Sequence, residues 1–178
     1  SPIQTPPAYS ASTNRVIIAT QDLFVLALDN SSGNLAWRIK PTVRNQATNI
    51  EYSYGWPVIA DQEGLVLIKI RLDWDTLWNW NPWPTTNTAI RNNLQSQPNQ
   101  QALFAMKLTD GSTPFIMNVG HGGYGDGGYM PMGPQPVVKT FANGKQVAYM
   151  IGRGDNQYDG RWDSKFVEIP LNNNTVSG

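Results

Sequence analysis

In 178 residues, 13 basic and 13 acidic side chains cancel, and charged residues make up only 15% of the chain. No stretch gathers the Lys and Arg that displace counterions from a polyphosphate, so nucleic acid is not expected as a partner. The lack of cysteine removes disulfides, thiolate metal sites and cysteine nucleophiles, and no apolar run approaches the roughly 20 residues of a membrane-spanning helix.

What remains is a chain rich in turns. Glycine (16) and proline (13) are plentiful, and Asn, Gln and Thr fill the gaps between apolar runs, which suits an all-β protein with long polar loops. Low charge with many Trp and Asn points to a secreted or periplasmic surface. Ser1 at the start fits a processed precursor or a piece of a longer chain, and no signal peptide is visible.

The apolar runs, taken in chain order, are short, β-branched or aromatic, and broken by Gly and Pro, which predicts strands and leaves no helical reading. A first segment, about residues 7–40, offers runs at 7–10, 15–20, 23–28 and 35–39, with Gly33 in its last turn. The second, about residues 55–118, offers 56–60, 64–70, 102–108 and 115–117, interrupted by an insertion at 71–101. A third, about residues 134–178, offers 135–139, 144–151 and 166–171, and stops short of a fourth strand.

The segments correspond. Pro57 and Pro136 open the first strand, where a missing N–H is tolerated. Gly64 and Gly144 fall in the first turn. Gly33 and Gly111 fall in the third, each followed four residues later by an aromatic ring, Trp37 or Phe115. A recurring strand-turn-strand unit cannot bury its apolar face alone and must stack against copies of itself.

The phrase from Ala27 to Trp37 resembles the tryptophan-docking repeat of the pyrroloquinoline-quinone-type, or quinoprotein-like, β-propeller. Ser32 and Asn34 stand where that family more often has Thr and a charged residue. The resemblance implies four-stranded antiparallel blades locked together by Ala27, Asp29, Gly33 and Trp37, and in the second copy by Gly111 and Phe115. A propeller closes with roughly four to eight blades. About three blades are therefore expected to be part of a larger propeller, completed by another segment or chain.

Long segments at 41–54, 71–101, 117–134 and 152–164 all emerge on one side of such blades, and function in β scaffolds concentrates on loops of this kind. The insertion carries Trp74, Trp78, Trp80 and Trp83, a set that either buries against its own blade or offers a surface to a protein partner, with carbohydrate as the next choice. Asp155, Gln157, Asp159 and Asp163 place oxygen donors at positions one, three, five and nine of a loop with Gly160 at six, the spacing of a Ca2+ loop. The stretch is similar to the short calcium loops of integrin-type propellers, apart from the amide of Gln157. A polar turn with capping carboxylates is the alternative.

Other motifs carry less. Arg153-Gly154-Asp155 is an integrin-recognition tripeptide of low specificity. The glycines of 120–125 fit a dinucleotide pattern, but the Gly- and Pro-rich continuation cannot start the helix which that chemistry needs. His121 is the only histidine and has no nucleophile motif beside it. Asn30 and Asn173 head glycosylation sequons.

These features lead to the expectation of a non-catalytic β-propeller scaffold that engages a partner protein through its long-loop face, with Ca2+ as a stabilising ion. The first alternative is a fragment of a quinone-dependent alcohol or sugar dehydrogenase. The resemblance implies vicinal cysteines and a central pocket for the quinone, so pyrroloquinoline quinone is not expected in a cysteine-free chain of three blades. A lectin-like role for the tryptophans is the second alternative.

Overall fold

Residues 1–3, 5–44, 55–70, 87–117, 135–153 and 164–171 are described by the computed structural model. Among them, strands form three antiparallel sheets. The first runs in order β1 (Ala8–Ser10), β2 (Arg15–Ala19), β3 (Val25–Asp29), β4 (Leu35–Ile39). The second consists of β5 (Val58–Ala60), β6 (Leu65–Lys69) and β7 (Leu103–Lys107), and the third of β8 (Val137–Thr140), β9 (Gln146–Arg153) and β10 (Ser164–Pro170).

The repeat holds to the level of register. Arg15 pairs with Asp29, Leu65 with Lys107, and Val147 with Pro170. Each of these pairs is followed by the same closing bond: Asn30 N donates to Asn14 O, Leu108 N to Gly64 O, and Leu171 N to Gln146 O. The turns agree too. Gly33 and Gly111 take φ of +73° and +74° in the third turn, a left-handed conformation that a side chain would strain.

Alternation then decides how the sheets stack. On β6, Val66 and Ile68 join Ile17, Ala19, Val25 and Ala27 of the first sheet in one apolar layer, together with Phe104 and Met106 of β7. Leu65, Leu67, Leu103 and Ala105 point the other way and form a second layer with Ala148, Met150 and Ile169 of the third sheet. The middle sheet is thus covered on both faces, and every residue of β6 is buried. The first strands approach one another in succession, β1 to β5 and β5 to β8, so the sheets converge along one edge like blades around a hub.

Two expectations need correction. Only the first sheet has a full fourth strand among the described residues. In the second, residues 115–117 contribute a single bridge, Ile116 to Phe104; the preceding Pro114 lacks the N–H that would extend the ladder. The insertion also contains a helix, α1 (Asn87–Ser96), where none is expected from the sequence. Ile90 and Leu94 stand one turn apart in sequence, Pro98 follows the helix, and Leu94 is buried in the first apolar layer, so tertiary burial stabilises a segment of mostly polar composition.

Candidate functional site

The most specific constellation in the structure lies where one sheet docks on the next. Ala27 and Trp37 are cross-strand partners, and the register shifts just beyond them, between Ala27 and Leu28. The small Ala27 leaves room on that face for the indole, which is 8% exposed. The ring reaches the second sheet. A methyl group added at Gly111 would stand 2.7 Å from Trp37 Cε3 and 2.8 Å from Ile39 Cγ1. The indole Nε1–H donates to Leu108 O at 3.0 Å. Arg15 Nη1 donates to the same carbonyl and to Thr109 O at 2.7 Å.

The turns that present the glycines are built alike. Gly33 N donates to Asp29 O and Asp29 N to Asn34 O, while Gly111 N donates to Lys107 O and Lys107 N to Ser112 O. Asp29 Oδ1 accepts from the N–H groups of Ser31 and Ser32 and the Ser32 hydroxyl. Asp110 Oδ1 accepts from the N–H and hydroxyl of Ser112. These serine bonds hold both carboxyls below the usual aspartate range.

Phe115 is half-buried and packs on the second apolar layer, which includes Ala60, Leu65 and Leu171. It belongs to the layer that the second and third sheets share, as Trp37 belongs to the layer shared by the first two, without an N–H to donate. The first turns supply the polar contacts. Asp61 Oδ1 accepts from Ser10 Oγ (2.6 Å) and Ser12 Oγ (2.9 Å), and Oδ2 from Ala11 N (3.0 Å). One sheet further on, Gln146 Oε1 accepts from Gln62 N (2.9 Å) and Glu63 N (3.2 Å), and Gln146 N donates to Glu63 Oε1 (3.1 Å). Arg15, Asp61, Glu63 and Gln146 are not among the site residues expected from the sequence, because nothing local distinguishes them from ordinary turn and strand positions.

A cavity of about 420 Å³ opens between α1, β7 and the segment after Gly111, lined by Pro41, Gln95, Gln101, Thr113, Pro114 and Phe115 among others. Among the described residues, its wall carries amides and a hydroxyl but no titratable group. Among the described residues, no cluster of three or more His, Asp or Glu side chains could hold a metal ion, and no helix is long and apolar enough to cross a membrane. Trp74, Trp78, Trp80 and Trp83 lie outside the described residues, as do Asp155, Gln157, Asp159 and Asp163, His121 and the glycines of 120–125.

No family model and no curated protein matches the sequence. Among solved structures, the chain is similar to BamB from Moraxella catarrhalis, with 10% identity and a TM-score of 0.46, over 95% of this chain and 34% of that one. It is also similar to a europium-containing methanol dehydrogenase, with 14% identity and a TM-score of 0.34, over 83% of this chain and 37% of that one. The chain therefore spans little more than a third of either structure. Its own geometry carries the fold: antiparallel meanders stacked in succession, with Trp37 seated on the glycine turn of the next sheet, are arranged as blades of a β-propeller.

Proposed function

We propose that this chain is a segment of a non-catalytic β-propeller scaffold, working in a secreted or periplasmic setting, that binds a partner protein through the face bearing its long loops. One observation supports this reading above others. Arg15, Asp61, Glu63 and Gln146 are spent on carbonyls, hydroxyls and N–H groups of neighbouring blades, which is the chemistry of a framework. Binding then falls to the loops that the framework holds, with Trp74, Trp78, Trp80 and Trp83 as the anchors and Asp155, Gln157, Asp159 and Asp163 as ligands of a stabilising Ca2+.

The test compares the parent chain with a variant carrying Ala at Trp74, Trp78, Trp80 and Trp83. Cross-linking to co-secreted proteins is expected to yield a defined partner for the parent and to lose it in the variant, while both unfold at similar temperatures. Dye-linked oxidation of alcohols or sugars after loading with pyrroloquinoline quinone and Ca2+ would replace this reading with the dehydrogenase. Saturable binding to a glycan array without a protein partner would replace it with the lectin.

A further inference from the structure

Helix α1 ends in a run of amides, several of which are spent on one another. Asn93 Nδ2 donates to Gln100 Oε1 and Gln100 Nε2 to Gln97 Oε1, both at 2.8 Å, while Gln97 N donates to Asn93 O. Leu94 is buried in the first apolar layer, so the helix end is anchored by packing as well. Gln95 and Gln101 instead line the cavity of about 420 Å³, a volume within the range of small-molecule sites. Thr113, Pro114 and Phe115, after the Gly111 turn, line it too, as does Pro41. Gln95 and Thr113 are exposed, and among the described residues neither side chain makes a hydrogen bond. Gln101 gives its Nε2–H to Leu94 O at 3.2 Å and keeps Oε1 open.

We propose that this cavity binds the pyranose ring of a neutral sugar. Gln95 and Thr113 can each donate and accept, and Gln101 Oε1 accepts, while Pro41, Pro114 and Phe115 supply apolar surface. That set complements a ring with hydroxyls around its edge and an apolar C–H face. No charged side chain lines the cavity among the described residues, so a phosphate, carboxylate or ammonium would lose hydration there without a counter-charge. An extended peptide suits the site less well. Strand addition needs a run of free N–H and C=O groups, but Pro114 has no N–H and the segment already spends its bridge, through Ile116, on Phe104. The site uses none of Trp74, Trp78, Trp80 and Trp83. It therefore differs from a lectin built on those rings and does not rest on the partner-protein reading.

The test titrates the full chain, followed by proton–nitrogen NMR, with the methyl pyranosides of glucose, galactose and mannose, and separately with glucosamine, glucuronate and hexaproline. At least one neutral pyranoside is expected to saturate with a Kd on the order of 1 mM, as a few net hydrogen bonds allow. The shifts are expected at the side-chain amides of Gln95 and Gln101 and the backbone of Thr113, with glucosamine and glucuronate several-fold weaker. Gln95→Leu with Thr113→Val is expected to weaken the neutral sugar about tenfold or more. Should that variant fail to fold, Gln95→Glu alone serves: it keeps the side chain's shape, adds an anion to the wall, and is expected to reverse the ranking in favour of glucosamine. Silence of all three neutral pyranosides overturns the proposal. So does charged-sugar binding as tight as theirs, or sugar binding that neither variant changes, which would place the sugar elsewhere on the chain. Saturable shifts at these residues with hexaproline alone also overturn it, by giving the cavity to a proline-rich peptide.

Discussion

The indole of Trp37 lies over the backbone of Gly111, so close that a methyl group there would stand 2.7 Å from the ring. Blade docking therefore depends on a residue that is absent of side chain for two reasons at once. The turn needs a φ of +74°, and the ring needs the space. At Gly33 only the first reason operates within the described structure, since φ is +73° and the methyl position is open.

Alanine at the two glycines separates these causes. Gly33→Ala is expected to cost about 1–2 kcal/mol, the strain of a left-handed L-residue. Gly111→Ala is expected to cost about 1–3 kcal/mol more, because the ring must also move out of a packed layer. Urea unfolding of both variants checks this. Equal losses would mean that Trp37 yields freely and that its seat on Gly111 contributes little.

Leu108 O supports a second prediction, because it accepts from both Trp37 Nε1 and Arg15 Nη1. Trp37→Phe and Arg15→Met are each expected to cost about 1 kcal/mol, since the remaining donor still satisfies the carbonyl. The double variant is expected to exceed the sum of the two by about 1 kcal/mol, because a shielded carbonyl is then left unpaired. Both hydrogen-bond acceptors of Arg15 are neutral carbonyls, while its charge also helps to lower the Asp29 and Asp110 carboxyls, so only the part of its contribution that comes from those two exposed carboxylates should weaken at high salt. Additive losses would show that water replaces the missing donor.

Much of this was legible in the sequence because it is written in local signals. The Ala27–Trp37 phrase and the paired glycines lie within a few residues of the turns they shape, and the short β-branched runs mark the strands that the structure forms. The inter-blade polar contacts carry no such signal. Ser10 and Asp61 are 51 residues apart, and Gln62 and Gln146 are 84 apart. A serine, aspartate or glutamine beside a turn reads as a solvated turn residue until the blades are stacked. Helix α1 was hidden for a similar reason: its sequence is mostly polar, and Leu94 is stabilised by a layer that β2, β3, β4, β6 and β7 complete. The tryptophan insertion and the oxygen-rich loop lie outside the described residues, so their roles still rest on composition and spacing.

Asp61 should make docking of the first two blades sensitive to acid. Burial pushes its carboxyl up, but the hydroxyls of Ser10 and Ser12 and the N–H groups of Ala11 and Ser12 outweigh this, and the net shift is below the ordinary 3.8. A depressed folded pKa means that the unfolded chain takes the proton more readily. The stabilisation is therefore whole above pH 3.8 and is lost as pH falls through the lower folded value. Asp61→Asn is expected to be less stable than the parent at neutral pH by about 1–2 kcal/mol, as for hydrogen bonds to a partly exposed charge, and to converge with it as pH falls through the lowered folded value. Asp29 and Asp110 also titrate low, but both proteins retain them and their effect cancels in the difference. A gap that stays constant across this range would show that the carboxylate's charge is irrelevant to the contact.

Gln146 tests whether the second and third blades are held by the same logic with different atoms. Its buried amide oxygen accepts from two successive N–H groups, Gln62 and Glu63, its amide nitrogen donates to Thr140 Oγ1 at 2.8 Å, and its backbone N–H donates to Glu63. Gln146→Met keeps the length of the side chain and the backbone bond but leaves two N–H groups of the 61–63 turn without their acceptor. The expected cost is about 2–3 kcal/mol, concentrated at this interface. Hydrogen exchange should therefore show faster exchange at Gln62 and Glu63 and earlier opening of β8, β9 and β10, while the amides of β2 and β3 stay as protected as in the parent. The result that would overturn this is uniform loss of protection across all three sheets. That would make the blades one cooperative unit, with no separable clamp between the second and the third.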